Sequence, residues 1–130
     1  MFLKNIYKSF DGTEVLRDFT MEIADGEHVA LMGKSGKGKT TILNIIMGFE
    51  APDCGETDIT KEISTVFQED RLSEGFSAIS NVCLMNGDKE IAKEILDKLG
   101  IESEKYVNTM SGGQKRRVAL ARCLSRTAKL

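Results

Sequence analysis

The pattern of apolar and polar residues changes along the chain from a strand-like period to a helical one. Residues 2–10 and 15–23 are rich in aliphatic and aromatic side chains and flank a turn signal at residues 11–12. From 19 to 23 apolar and polar residues alternate, as in a half-buried antiparallel strand. The N-terminal part is therefore predicted to consist of two strands joined by a turn.

The next two apolar runs predict a strand followed directly by a helix. Residues 27–32 follow the turn signal at residues 25–26, which predicts a short buried strand with His28 in a structural role. In residues 41–48 the apolar side chains occupy more than one face of a helical projection, which predicts a buried helix that ends near Gly48.

The rest of the chain passes from short strands to helices. Two short strands are predicted at residues 57–60 and 63–67, and the pattern becomes helical from about residue 77. Apolar residues recur at helical spacing in residues 88–99 and again in residues 112–128. The predicted order is therefore β first, then β and α together, then α, and the fold class is predicted to be α/β.

Length and charge narrow the class of protein. With 130 residues there is room for one modest domain, divided by pattern into a β-rich part at residues 1–67 and a mostly helical part at residues 68–130. The net charge of −2 gives no reason to expect a nucleic-acid partner. Three widely spaced cysteines without a C-x-x-C pair indicate free thiols in a reducing cytoplasm. No apolar run reaches the roughly 18 residues that span a bilayer.

The sequence G-K-S-G-K-G-K-T-T lies between the predicted strand at 27–32 and the predicted helix, and fits the phosphate-loop pattern G-x-x-x-x-G-K-[ST]. Glycines allow positive φ angles, so that successive N–H groups can point at a phosphate, and the helix dipole adds to anion binding. Lys39 is predicted to bind the β- and γ-phosphates, and Thr40 to offer its hydroxyl to Mg²⁺. The alternative is a glycine-rich surface loop that binds nothing. It does not explain why the motif stands between a predicted strand and a predicted helix. The predicted site consists of Gly33, Lys34, Ser35, Gly36, Lys37, Gly38, Lys39, Thr40 and Thr41.

A second glycine motif stands before the last predicted helix. The motif consists of Ser111, Gly112, Gly113 and Gln114. Backbone N–H groups and a hydroxyl at a helix start can bind phosphate. Alone the motif is equally well explained as an ordinary helix N-cap.

The order of motifs resembles the nucleotide-binding subunit of ABC transporters. A phosphate loop, then Gln68 after a predicted strand, and then a signature-like segment at residues 110–122 follow one another over essentially the whole chain. The resemblance implies a P-loop NTPase fold of the ABC type, with an N-terminal antiparallel β part, a partial parallel core and a helical part. It also implies that ATP and Mg²⁺ are the cofactors.

The resemblance implies roles for residues outside the phosphate loop. Phe10 corresponds to the aromatic residue that stacks on adenine, usually Tyr in the family, and Val15 to an apolar contact with the same ring; a core role is the alternative for Phe10. Gln68 corresponds to the glutamine that reaches Mg²⁺ and the attacking water, with a solvated amide as the alternative. Ser111 to Gln114 correspond to the signature, with Met110 in place of the usual Leu.

The family's assembly suggests the partners. In this family the signature of one subunit closes over the triphosphate bound to the other, so a head-to-tail homodimer is expected. A separate transmembrane permease is expected as well, with the chain peripheral at the inner, cytoplasmic face of the membrane. The basic run at residues 115–117 is interpreted as a solvated helix face.

The family has further catalytic residues after the signature helix. A strand ending in Asp-Glu and a later histidine follow that helix in the family, and neither is found before Leu130, so we expect a chain truncated in its core strands. The nearby Glu69 and Asp70 have no spacing that suits them as substitutes. The expected function is Mg·ATP binding and, in a complete dimer, hydrolysis that powers transport. The alternatives are a nucleotide-binding module without turnover and an ABC-type ATPase acting on ribosomes or DNA.

Overall fold

The computed structural model describes residues 1–59 and 63–127, and the chain divides into two compact units, Met1–Ile63 and Ser64–Leu130. The first unit holds an antiparallel sheet with the strand order β2-β1-β3. The strands are β1 (Phe2–Phe10), β2 (Thr13–Glu22) and β3 (Cys54–Asp58). The two predicted N-terminal strands are confirmed.

One helix, α1 (Lys39–Ile46), packs on this sheet. Burial of aliphatic side chains from both elements removes apolar surface from water and joins helix to sheet. The buried residues of this core are Leu3, Ile6, Leu16, Ile42 and Ile45. The prediction of a buried helix, apolar on more than one face, is corrected in part: Ile42 and Ile45 are buried, whereas Leu43 is 48% exposed and Phe49, beyond the helix, is 65% exposed. The helix is amphipathic, with one face on the sheet.

The predicted strand before the phosphate loop is not formed. Residues 27–30 and Met32 are exposed and have no strand pairing, so His28 is on the surface and not inside a buried strand. A central parallel strand needs neighbours on both edges. Within the described residues, the pairing joins β1 to β2 and β1 to β3, both antiparallel, which leaves this segment without a neighbour. The predicted strand at 63–67 is absent as well, and residue 60 of the strand predicted at 57–60 lies outside the described residues.

The second unit is helical. It contains α2 (Ala78–Asn86), α3 (Lys89–Lys98) and α4 (Gly112–Thr127), with a short 3₁₀ turn at Val107–Thr109. The predicted helices at 88–99 and 112–128 are confirmed, except that residue 128 lies outside the described residues. All three helices meet at a common core of Ala78, Val82, Ala92, Leu96, Val118 and Ala121.

The helical unit contains a buried polar side chain. Asn81 is fully buried in α2, where its amide accepts a hydrogen bond from Ser73 N–H at 2.8 Å and donates to the carbonyls of Ser73 and Ser77 at 3.0 Å each.

Burial raises the pKa of the Cys83 thiol. All three cysteines are free. Among the described helices, none combines the length and the apolar character needed to cross a bilayer.

Candidate nucleotide site

The phosphate-loop segment is an open glycine turn that leads into α1. Gly33, Gly36 and Gly38 have φ angles of 151°, 77° and 76°, in the region that side-chain-bearing residues rarely adopt. The helix begins at Lys39, directly after Gly38. The glycines therefore allow the chain to turn sharply and enter the helix within six residues.

Lys39 lies across this turn. Its ammonium nitrogen donates to the carbonyl oxygens of Gly33 and Lys34, at 2.8 Å each. These bonds close the loop around the lysine side chain and fix a positive charge at the start of the helix. An ammonium group in this position can neutralise an anion bound by the loop.

The N-terminus of α1 has no side-chain cap. Among the four α-helices of the described residues, the other three are capped by Ser77, Asp88 and Ser111, whereas Gly38 offers no side chain and the first turn holds no acidic residue. The first N–H groups of a helix have no intrahelical acceptor. The start of α1 therefore keeps both its N–H donors and its dipole for an anion.

Phe10 and Val15 lie near the turn between β1 and β2. Val15 adjoins the phosphate loop: a Cβ on Gly38 would lie 3.3 Å from Val15 Cγ1 and 3.1 Å from its carbonyl oxygen. Phe10 is 41% exposed, so the alternative of a core side chain is wrong. The end of this hairpin thus offers an exposed aromatic ring and an aliphatic side chain in the same unit as the phosphate loop.

Lys8 was not predicted from the sequence, yet its ammonium group contacts three oxygen acceptors of the first unit. Its ammonium contacts Glu50 at 2.7 Å, the Ala51 carbonyl at 2.8 Å and Asp53 at 3.2 Å. The bond to Glu50, and then Asp53, raises the pKa of Lys8. The Ser9 N–H, at 2.7 Å, and then Lys8 lower the pKa of Asp53. This group of residues joins β1 to the segment after α1.

The signature-like segment caps α4 in the second unit. Ser111 Oγ accepts a hydrogen bond from Gln114 N–H at 3.3 Å, and Gln114 Oε1 accepts one from Ser111 N–H at 3.1 Å. This reciprocal pair is a capping box, and it uses the first and fourth residues of the motif. Gly112 and Gly113 are exposed between them. The N-cap interpretation is therefore correct locally, and the two glycines leave the helix start open to a ligand.

The loop that carries Gln68 is held by arginines of α4. Arg116 donates to the carbonyls of Phe67 and, at 3.4 Å, Gln68, and pairs with the Asp70 carboxylate at 3.2 Å. Arg122 donates to the carbonyls of Asp70 and Arg71, at 2.9 and 2.8 Å. The Gln68 side chain itself is exposed. The backbone of this loop is thus fixed while its glutamine faces outward.

The basic run is largely solvated, as predicted, since Arg116 and Arg117 are exposed, but its side chains also bind other groups. Lys115 forms an ion pair with Glu74 at 2.8 Å, which lowers the pKa of Glu74, and Arg117 donates to the Leu99 carbonyl at 3.0 Å. Together with Arg116, all three basic side chains bind other parts of their own unit. Hydropathy patterns do not reveal such bonds, because the partners are carboxylates and backbone carbonyls far away in sequence.

The predicted residues fall in both units. The phosphate loop, Phe10 and Val15 belong to Met1–Ile63, whereas Gln68 and the signature belong to Ser64–Leu130. Thr40 is exposed in the first turn of α1, and its hydroxyl is a suitable oxygen ligand for Mg²⁺ beside a phosphate. Within residues 1–59 and 63–127 no group of three His, Cys, Asp or Glu residues could hold a metal by itself. The donor set therefore fits a metal that arrives with a phosphate.

Comparisons with known proteins show which proteins this chain is similar to. A family model described as "ABC transporter" matches residues 16–130. The aliphatic sulfonates import ATP-binding protein SsuB 1 of Paracoccus denitrificans (strain Pd 1222) is 38% identical over 98% of this chain and 56% of its own length. The spermidine/putrescine import ATP-binding protein PotA of Spiroplasma citri is 38% identical over 94% of this chain and 41% of its own length.

A solved structure gives the fold. That of cbiO1 from Clostridium perfringens, part of the ABC transporter complex cbiONQ, matches with a TM-score of 0.84 and 26% identity over 98% of this chain and 62% of that chain. The sheet, the glycine loop and the helical unit define a P-loop protein of the ABC type. The chain belongs to the ABC transporter family. It spans about half the length of the curated relatives it matches, from 56% of SsuB 1 to 41% of PotA.

Proposed function

We propose that the chain binds Mg·ATP and acts as the ATP-binding module of an ABC importer. Residues 33–41 bind the phosphates, with Lys39 as the principal cation and Thr40 as the metal ligand. Phe10 and Val15 bind the adenine ring. Magnesium, when bound, neutralises part of the phosphate charge.

The observation that carries the proposal is the start of α1. A helix N-terminus without a side-chain cap follows three glycines with positive φ angles, and a lysine ammonium is held across the turn. Each of these features favours an anion, and together they provide N–H donors, a dipole and a full positive charge at one place. A loop without a ligand would gain stability from a Ser or Asp cap, such as the other helices have.

The partners follow from the relatives. SsuB 1 and PotA are both import ATP-binding proteins by name, which supports import through a separate transmembrane permease at the cytoplasmic face of the membrane. Their names give an anion and polycations as cargo, so we propose that the permease, and not this chain, selects the cargo. Ser111 to Gln114 would meet the triphosphate of a second copy in a head-to-tail dimer. Gln68 would orient the attacking water during hydrolysis.

Calorimetric titration with Mg·ATP tests binding. We expect Lys39→Ala to weaken ATP binding by at least roughly tenfold, because it removes a charge beside the phosphates. Thr40→Val should reduce the dependence of ATP affinity on Mg²⁺. The exposed Lys93 on α3 supplies a control, since Lys93→Ala removes the same charge from the other unit. Equal ATP affinities for wild type, Lys39→Ala and Lys93→Ala would refute the proposal.

Hydrolysis and transport need a second measurement, in the complex with the permease. Phosphate release and cargo uptake should both be lost in Gln68→Ala while ATP binding is retained. ATP binding by the wild-type complex without phosphate release would instead identify a nucleotide-binding module without turnover.

A further inference from the structure

Lys8 and Phe10 lie two residues apart on β1, and their side chains are in contact. Lys8 Nζ is 5.1 Å from the centroid of the Phe10 ring, over its face. At that distance an ammonium group is attracted to the negative face of an aromatic ring. Lys8 is 9% exposed, whereas Phe10 is 41% exposed. One face of the ring therefore lies against a nearly buried cation, while a large part of the ring is open to solvent.

The ammonium is also held by three oxygen acceptors. These are the Glu50 carboxylate, the Ala51 carbonyl and the Asp53 carboxylate, at 2.7, 2.8 and 3.2 Å. All three belong to the segment that follows α1, the helix that begins at the phosphate loop. A lysine with its N–H donors directed at three fixed acceptors has little freedom to leave the ring.

We propose that Lys8 is a positioning residue for base recognition: it holds the Phe10 ring by one face and so presents the opposite face to the purine of the nucleotide. The inference rests on the proposed function, because it assigns Lys8 a role in the same site. A cation on one face also draws electron density from the ring, which reduces the repulsion between its π system and that of a stacked base. Lys8 acts on the base through Phe10 and has no role toward the phosphates.

This role differs from simple stabilisation of the fold in one measurable way. The ion pairs of Lys8 with Glu50 and Asp53 would exist without a nucleotide. Loss of their stabilising effect would weaken the binding of every ligand of the unit alike. Loss of ring positioning weakens the binding of only those ligands that contain a base. Inorganic tripolyphosphate carries the phosphate charge without the base, so it separates the two effects.

The experiment compares the affinities of the chain for ATP and for tripolyphosphate by calorimetric titration. We expect Lys8→Met to weaken ATP binding by roughly three- to tenfold and to leave tripolyphosphate binding unchanged. Lys8→Arg, which keeps a cation over the ring, should restore most of the ATP affinity. Lys4→Met supplies the matched control, because Lys4 is an exposed lysine on the same strand. In a Phe10→Leu background, Lys8→Met should have almost no further effect on ATP binding.

Three outcomes of the titrations of the variants overturn the inference: an unchanged ATP affinity in Lys8→Met, an equal loss for ATP and tripolyphosphate, or an undiminished loss in the Phe10→Leu background. If Lys8→Met does not fold, an NMR measurement on the wild-type chain tests the inference instead. The NMR resonance of the Lys8 ε-methylene should be shifted by the ring, relative to Phe10→Leu, and should respond to ATP but not to tripolyphosphate. An equal response overturns the inference. No ATP binding by wild type overturns the proposed function with it, whereas ATP binding that ignores Lys8 overturns this inference alone.

Discussion

Gly38 and Leu16 lie so close together that a methyl group on Gly38 would stand 2.6 Å from Leu16 Cδ2. The same methyl group would lie 3.1 Å from the Val15 carbonyl, which cannot rotate away as a leucine side chain can. The phosphate loop therefore rests directly on β2, and the absence of a side chain at Gly38 is a packing requirement as well as a backbone one.

Gly38→Ala should destabilise the chain more than Gly36→Ala. Gly38 and Gly36 have φ angles of 76° and 77°. An alanine at either position would have to adopt a left-handed backbone conformation, which costs about 1–2 kcal/mol. A Cβ on Gly36 meets no atom within 4 Å, whereas one on Gly38 also has to displace Leu16. We expect an additional loss of roughly 1–3 kcal/mol in the free energy of unfolding for Gly38→Ala, measured by urea denaturation. Equal losses would show that the contact with β2 relaxes freely.

Asn81→Ala should be strongly destabilising in the helical unit. The buried amide satisfies the Ser73 N–H and the carbonyls of Ser73 and Ser77. Its removal leaves the Ser73 N–H without its acceptor, whereas the Ser73 and Ser77 carbonyls keep bonds from the Phe76 and Asn81 N–H groups. The expected cost is roughly 1–3 kcal/mol in the free energy of unfolding. Asn108→Ala, at an exposed position, is the control and should change stability by less than about 0.5 kcal/mol. Thermal denaturation of the two variants checks the difference.

Arg116→Met and Arg122→Met should loosen the loop that carries Gln68. Each arginine donates to backbone carbonyls between residues 67 and 71, so their loss removes the bonds that order this segment. We expect amide hydrogen exchange over residues 67–72 to become roughly fivefold faster in either variant. Arg117→Met is the matched control, because Arg117 lies on the same helix but binds the Leu99 carbonyl. Faster exchange of the same segment in Arg117→Met would contradict this prediction.

Acid should weaken the first unit through Asp53. The Ser9 N–H and Lys8 lower the pKa of Asp53 below its ordinary value of 3.8, which means that the folded state favours the carboxylate. The stabilising effect is therefore complete above about pH 4 and is lost as the pH falls through the lowered pKa. Asp53→Asn should show a smaller decrease in urea midpoint between pH 5 and pH 2 than the wild type. The prediction fails if the two chains lose stability in parallel over that range.

The sequence led to the proposed roles of Phe10 and of the phosphate loop in different ways. The loop has a fixed spacing of glycines, lysine and threonine, because the geometry of a phosphate allows few alternatives. Phe10 was proposed by resemblance alone, and its exposure agrees with a ring available to a ligand. Lys8, Arg116 and Arg122 were not predicted, since their partners lie about 40 to 50 residues away and no local pattern marks them.

The sequence by itself determined the two N-terminal strands, the helices and the glycine loop, because each depends on period, turn residues or caps within a few positions. Only the tertiary structure decided whether residues 27–32 form a strand, because a strand exists through hydrogen bonds to a neighbour and none pairs with it among the described residues. The same holds for the bonds of Lys8 and of the α4 arginines. Helix periods, turns and caps depend on residues a few positions apart, whereas strand pairing and charge pairing depend on which distant segments the fold brings together.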